Sequence, residues 1–255
     1  MLENNNVSKF FPNRIWEVIA LLILSIIPIG VIMSILIEKS FSQRFIEVAI
    51  VFIMAVFVVG VSCLVNRVKG WHHDGWSVKD FSFFGHALLL NVIFTALLAF
   101  PLFGIIKDGN TQDSSDFLSI LAICLIGPVS EEIMFRGVFL RGLLSQYKPL
   151  TAILATSLIF SMMHWLPLQI LFAFPLSVLY CYIYFKTHNL LYTIILHVIS
   201  NSITTLLAIE LGYSVFTGHV LISICLSLAG LALTAYFSHK LYMKFSRRSF
   251  YPQSW

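Results

Sequence analysis

Two adjacent glutamates, Glu131 and Glu132, lie in an apolar stretch of the chain, and Arg136 follows one turn later. A charged side chain in the hydrocarbon core of a membrane costs about 3 kcal/mol even on lenient insertion scales. Charged side chains at such a cost indicate a functional role, and catalysis is the role that explains them best. Glu132 and Arg136 are four residues apart, so we expect an ion pair on one helix face that leaves Glu131 facing a cavity. The reverse assignment, with Arg136 paired to Glu131, stays open.

Two later apolar segments each carry a histidine at a four-residue spacing from a second residue. Phe160 precedes His164 by four residues, and His197 precedes Asn201 by four, so each pair lies on one helix face. A carboxylate in apolar surroundings can act as a general base, and a histidine beside it can share the proton. A second histidine and a carboxamide can donate hydrogen bonds to the oxyanion of a tetrahedral intermediate. These residue types suit the activation of water, although each pair alone also fits a bond between helices.

The elements that position these residues are long apolar segments. Of the 255 residues, 58% are hydrophobic and 11% are charged, whereas soluble domains carry roughly a quarter charged residues. Runs of about 20 apolar residues span a bilayer as helices, and these runs are too continuously apolar for the strands of a barrel. The sequence therefore predicts an all-α, polytopic membrane protein with about eight transmembrane helices. They are Ile15–Ile37, Phe45–Val65, Phe81–Ile106, Phe117–Arg136, Leu150–Trp165, Leu168–Phe185, Leu190–Ile209 and Val215–Ser238.

The charges of the connecting loops predict the orientation of the protein in the membrane. Both termini are predicted to be cytoplasmic, because the inside segments then hold most of the lysines and arginines and the last two outside loops hold none. We interpret residues 1–255 as a single integral membrane domain. The four cysteines lack the spacing of a metal site or a disulfide framework. There is no basic stripe with interleaved aromatic residues, so no nucleic-acid partner is expected.

The three motifs, taken in order on successive apolar helices, resemble the CPBP family. They read Glu-Glu-x-x-x-Arg, Phe-x-x-x-His and His-x-x-x-Asn. This family comprises the CAAX proteases and the bacteriocin-processing enzymes once grouped as Abi proteins. The resemblance covers residues 117–207, which would form the catalytic core, and it implies an intramembrane glutamate endopeptidase.

The resemblance also implies a role for each motif residue. Glu131 would activate water with His164 as its partner, and His197 and Asn201 would form the oxyanion site. The supporting residues are Glu132, Arg136 and Phe160. No cofactor is expected, since the resemblance favours activation of water without a metal and the chain has no His-Glu-x-x-His helix. A zinc site is the alternative, with possible ligands Glu131, Glu132, His164 and His197.

The implied function is hydrolysis of a peptide bond in a membrane-associated peptide or protein, such as peptide maturation or bacteriocin processing and immunity. The partners would be that substrate and the lipid bilayer; the sequence does not predict the oligomeric state. The compact chain without a targeting segment indicates the cell membrane of a prokaryote. The alternative is a non-enzymatic membrane protein that binds a partner or confers immunity, with polar motifs of structural use. A transporter is a third interpretation, but the sequence shows no repeated halves.

The depth of the site raises a geometrical question. At 1.5 Å per residue, straight helices place His164 near the outer side of the membrane, and Glu131 and His197 nearer the inner side. We therefore expect the hairpin within residues 150–185 to be short and to stop part-way across the membrane. His164 would then meet Glu131 in a cavity that opens toward the cytoplasm.

Overall fold

The structure of the protein is a computed structural model that describes residues 10–39, 41, 43–66, 80–106, 117–164, 166–212 and 214–246. These residues form helices and connecting turns, and no strand occurs among them. The principal helices are α1 (Ile15–Glu38), α2 (Gln43–Asn66), α3 (Phe81–Ile105), α4 (Phe117–Leu144), α5 (Pro149–Met162), α6 (Pro167–Thr187), α7 (Leu190–Glu210) and α8 (Val220–Phe245). A five-residue helix, Ser214–Gly218, precedes α8.

Seven of these helices are long and apolar enough to cross a membrane, judged over the described residues. The eighth, α5, has 14 residues, or about 21 Å at 1.5 Å per residue, against a hydrocarbon core of about 30 Å. The predicted all-α, polytopic fold is thus confirmed, and the predicted number of spans differs by this one short helix. The expectation of a short hairpin holds for α5 but not for α6, which has 21 residues.

Two predicted spans differ from the structure by five residues or more at one or both ends. The fourth span does not end at Arg136 but continues to Leu144 as α4, because residues 137–144 remain mostly apolar and helical. The last span begins and ends later than predicted, as α8, Val220–Phe245. Its end carries two lysines whose aliphatic stems allow the charged groups to reach the membrane surface.

Basic residues and the ends of several helices gather at one end of the bundle, which we call the terminal end. The backbone N–H of Phe11, before α1, donates to Asn66 Oδ1 at the end of α2, at 2.8 Å. Lys186 Nζ, near the end of α6, donates to the carbonyl oxygen of Ser246 after α8, at 2.8 Å. Lys244 joins the end of α8 to the start of α3. The opposite end, where α3 ends and α6 begins, is called the far end.

Two helices contain π-helical segments. In α3 the segment is Ile93–Ala99, and in α4 there are two, Ala122–Ile126 and Ile133–Leu140. Between the two segments of α4 lies a six-residue α-helical stretch, Gly127–Glu132, which carries both glutamates. π-helical turns are rare and are found frequently at functional sites. The glutamates therefore lie on the least regular of the long helices.

Backbone contact between α8 and α3 depends on a glycine. A Cβ atom at Gly230 would lie 2.7 Å from the carbonyl carbon of Leu97 and 2.8 Å from the backbone nitrogen of Leu98. Because real Cβ atoms do not approach other atoms so closely, only glycine fits without displacing one helix. This contact fixes α8 against α3, whose buried polar residues lie beside the site.

Candidate active site

The centre of the site is a fully buried ion pair. Arg136 Nη1 donates to Glu132 Oε1 at 2.9 Å, and both side chains have 0% exposure. Arg136 Nη2 donates to Ser177 Oγ of α6 at 2.8 Å and lies 3.2 Å from the Ser177 carbonyl oxygen. The guanidinium also lies over the rings of Phe160, at 4.9 Å, and Tyr180, at 5.5 Å. This is the pairing that the four-residue spacing predicts, and it joins α4 to α5 and α6.

His197 of α7 contacts both glutamates. Its Nδ1 lies 2.8 Å from Glu132 Oε1, and its Nε2 lies 3.6 Å from Glu131 Oε2. Since a carboxylate paired with arginine only accepts hydrogen bonds, Nδ1 carries the hydrogen and Nε2 faces Glu131. The Glu131 side chain is 20% exposed, whereas that of Glu132 is fully buried. The two carboxylates therefore occupy different surroundings. Glu131 is not among the residues that line the cavity described below, so its predicted position facing a cavity stays a prediction.

His164 lies at the end of α5, away from that ion-paired set. Its Nδ1 is 3.2 Å from the carbonyl oxygen of Phe160. The Phe160 ring contacts the rings of both histidines, with centroid distances of 5.1 Å to His164 and 6.0 Å to His197. In the part of the chain that the structure describes, the histidine within ion-pairing distance of Glu131 is His197, not the expected His164.

Asn201 lies one turn beyond His197 on α7. Its Nδ2 donates at 3.0 Å to the carbonyl oxygen of Ile123, in the first π-helical segment of α4. A carboxamide has two N–H groups, so this bond uses one of them. Together, His197–Glu132 and Asn201–Ile123 join α7 to α4 at two levels.

A cavity of about 230 Å³ lies beside these residues. It is lined by α3, α6, α7 and the end of α5, and the predicted site residues on its wall are Phe160, His164, His197 and Asn201. Its lining continues to Phe103, Gln169 and Thr204, which belong to the far ends of their helices. The cavity therefore extends away from the end that carries the basic termini, and its opening toward the cytoplasm stays a prediction.

A buried network behind His197 escaped the sequence analysis. Tyr180 Oη donates to Asn91 Oδ1 at 2.8 Å and lies 3.2 Å from Ser200 Oγ, which is 2.8 Å from Thr95 Oγ1. The Tyr180 ring packs on His197, with 5.5 Å between centroids. The available signal was a polar stripe on α6, where Ser177 precedes Tyr180 by three residues on one face. Single hydroxyls in apolar helices are too common for that stripe to stand out.

Among the described residues, no group of three or more His, Cys, Asp or Glu side chains is arranged to hold a metal ion. Two of the four possible zinc ligands are already bonded to each other, because His197 Nδ1 donates to Glu132 Oε1. Glu132 Oε1 also accepts a hydrogen bond from Arg136 Nη1. Activation of water without a metal stays a prediction.

Comparison with known protein families gives a match over the segment that carries the motifs. No curated protein and no solved structure matches the chain significantly. The family described as type II CAAX prenyl endopeptidase, Rce1-like, matches residues 113–203. This segment contains all three motifs and runs from just before α4 into α7. The match confirms the resemblance of this segment to the CAAX proteases and supports a protease kind of function.

Proposed function

We propose that the protein is an intramembrane endopeptidase in which Glu131 and His197 activate the attacking water. The observation that supports this most directly is the position of His197 between two glutamates of different exposure. The positive charge of Arg136 balances the negative charge of Glu132. The hydrogen bond from His197 Nδ1–H to Glu132 fixes the orientation of the His197 ring. The Glu131 carboxylate is then available to accept a proton from water.

The separation of His197 Nε2 from Glu131 Oε2, 3.6 Å, exceeds the length of a direct hydrogen bond, about 2.7–3.2 Å. Such a separation suits two groups that contact the same water. As the water attacks the scissile carbonyl carbon, Glu131 takes its proton and a C–O bond forms. The proton then passes to the amide nitrogen as the C–N bond breaks, which restores the carboxylate.

The oxyanion would be bound from the cavity wall. Asn201 retains one carboxamide N–H, and His164 presents its Nε2, since Nδ1 donates to Phe160. His164 can donate from Nε2 when it is an imidazolium, which adds a charge to the hydrogen bond. This proposal exchanges the two histidines relative to the roles that the family resemblance implies, because His197 is the one beside Glu131.

The wider setting is part of the same proposal. The loop charges support cytoplasmic termini, and the family supports a peptide or membrane-protein substrate. We propose peptide maturation or bacteriocin processing in a prokaryotic cell membrane, with residues 117–207 as the catalytic core of a single domain.

Mass spectrometry of small membrane peptides tests the function. Cells that express the wild-type chain should contain cleaved peptides that cells with Glu131→Gln lack, at matched expression. In an assay of product formation by the purified protein, Glu131→Gln and His197→Ala should each lower the rate of peptide cleavage by about 10²–10⁴-fold, the usual contribution of a general base.

Glu38→Gln is the matched control, because Glu38 is an exposed carboxylate at the end of α1. It should leave the products unchanged. Full retention of products by both Glu131→Gln and His197→Ala would refute catalysis at this site. Loss of activity on treatment with a chelator, restored by zinc, would instead support the metal alternative.

A further inference from the structure

The face of α6 that lines the active-site cavity is a continuous stripe. Its neighbouring members are three or four residues apart, as one face of a helix requires, and they are Gln169, Phe172, Ala173, Leu176 and Tyr180. The stripe ends at Tyr180, whose ring packs on that of His197. It begins eleven residues earlier at Gln169, in the first turn of α6 at the far end. One helix face therefore leads from the level of His197 to the far end of the cavity.

Gln169 carries a carboxamide that forms no hydrogen bond with any residue that the structure describes. Its side chain is partly exposed, and its oxygen and nitrogen are not enclosed by the protein. Because Gln169 lines the cavity, a molecule in the cavity can reach both atoms. Covering an amide without giving it hydrogen bonds is unfavourable. An occupant that pairs with this carboxamide is therefore favoured over one that only covers it.

The rest of the cavity wall restricts the chemistry of its occupant. Four phenylalanines line it, Phe94, Phe100, Phe103 and Phe172, and the described lining contains no Asp, Glu, Lys or Arg side chain. A charged group of an occupant would be desolvated there without a permanently charged partner. The cavity therefore suits an uncharged occupant that has large apolar groups and a small number of hydrogen-bonding groups.

Two side chains of α7 show which hydrogen bonds such an occupant can form. Thr204 lines the cavity, and its Oγ1 donates its single hydrogen within the helix, to the carbonyl oxygen of Asn201 at 3.0 Å, so toward the cavity it can only accept. Asn201 keeps one N–H to donate. The Gln169 carboxamide offers both a donor and an acceptor, which is the complement of one peptide group. A polypeptide main chain carries both kinds of group along its length, whereas a hydrocarbon or isoprenoid chain would leave all three side chains unpaired.

We propose that the Gln169 carboxamide binds a main-chain peptide group of the substrate and thereby determines substrate affinity. The proposal rests on the proposed function for the location of the scissile bond, but not for the contact itself. Gln169 lies about 16 Å along α6 from Tyr180, at 1.5 Å per residue, and an extended peptide advances about 3.3 Å per residue. The contacted peptide group then lies about five residues from the scissile bond, and the substrate is a polypeptide that is extended and uncharged between the two points.

Binding to a peptide library tests the contact without requiring cleavage. The full chain carrying Glu131→Gln would be immobilised in detergent micelles and incubated with a proteome-derived peptide library, and the retained peptides would be identified by mass spectrometry. The peptide retained most strongly would be synthesised with each amide N–H replaced in turn by an ester oxygen, which removes one donor without added bulk. We expect one replacement to weaken binding by at least about fivefold, the effect of losing one hydrogen bond.

The same ester series would then be measured on a chain that also carries Gln169→Leu. This substitution removes no hydrogen bond within the described residues, so folding should be retained. The ester at the sensitive position should now change the dissociation constant by less than about twofold. Gln146→Leu is the matched control, because Gln146 is exposed in the turn between α4 and α5 and lies outside the cavity lining; it should preserve the fivefold effect. If no peptide is retained, or if no position responds to Gln169→Leu, the proposal is overturned.

Cleavage of the same peptide separates this proposal from the proposed function. In the chain that retains Glu131, Gln169→Leu should raise KM by at least about fivefold and change kcat by less than about twofold, since the contact does not involve the reacting atoms. The cleaved bond should lie about four to six residues from the sensitive amide, and a sensitive amide beside the cleaved bond would overturn the placement. A Gln169-dependent amide in a peptide that the chain with Glu131 does not cleave would leave the contact standing and refute the proposed function.

Discussion

The buried Glu132–Arg136 pair should be more damaging to break than to remove. Arg136→Met replaces the guanidinium with an apolar side chain of similar length and leaves the Glu132 carboxylate buried with one remaining hydrogen bond, from His197. Glu132→Leu leaves the guanidinium bonded to Ser177 but without its carboxylate partner. The double variant, Glu132→Leu with Arg136→Met, removes both charges together.

The structure sets the expected magnitudes. Both side chains are fully buried, so no solvent screening reduces the effect. Loss of one partner of such a pair costs about 3–5 kcal/mol, and two independent losses would therefore add to about 6–10 kcal/mol. The double variant should lose only about 1–3 kcal/mol, because the remaining cost is the unmet hydrogen bonds of His197 and Ser177.

Equilibrium unfolding in mixed micelles, followed by circular dichroism as the proportion of SDS rises, measures these differences. Lys240→Met is the control, because Lys240 is exposed on α8 and its loss should change stability by no more than about 0.5 kcal/mol. If Arg136→Met is as stable as the double variant, or the single losses add, the carboxylate is not held by the arginine and the reasoning fails.

Three further predictions concern packing and helix ends. Tyr180→Phe removes the donor to Asn91 Oδ1 and should lower stability by about 1–3 kcal/mol, measured by the same unfolding assay; no change would show that the network does not support the fold. Gly230→Ala should lower the melting temperature because its Cβ meets the α3 backbone, whereas Gly30→Ala, with nothing within 4 Å, should stabilise its helix by about 0.5–1 kcal/mol. Asn189→Ala removes the side-chain cap at the start of α7 and should cost about 1 kcal/mol, while Asn189→Asp, which keeps the cap, should cost less.

The helices could be predicted from the sequence because lipid imposes a simple rule on each segment separately. A run such as Leu190–Ile209 must bond its own backbone groups, so its length and composition nearly define α7. The Glu132–Arg136 pairing was equally local, since it depends on spacing within one helix. α5 differs in that its end at Met162 is decided by the turn that follows it, not by hydropathy.

The choice between the two histidines could not be made in the same way. His164 and His197 are alike in residue type and spacing, and which of them meets Glu131 depends on how α5 and α7 lie against α4. The π-helical segments of α4 alter the direction of its side chains, and the local sequence carries no clear signal for them. The Tyr180 network depends likewise on contacts among three helices that are distant in sequence.

The two bonds between α7 and α4 determine which parts of the bundle can move. His197–Glu132 and Asn201–Ile123 connect the antiparallel helices at separate levels, so neither helix can slide or rotate along the other without breaking a buried polar contact. We therefore expect α4 and α7 to move together. A hinge or shear motion that admits a substrate would then involve the surrounding helices, namely α6, α8 and the short α5. On the proposed mechanism, Glu131, His197 and Asn201 would stay together during such a motion, whereas His164, at the end of α5, would move with that helix.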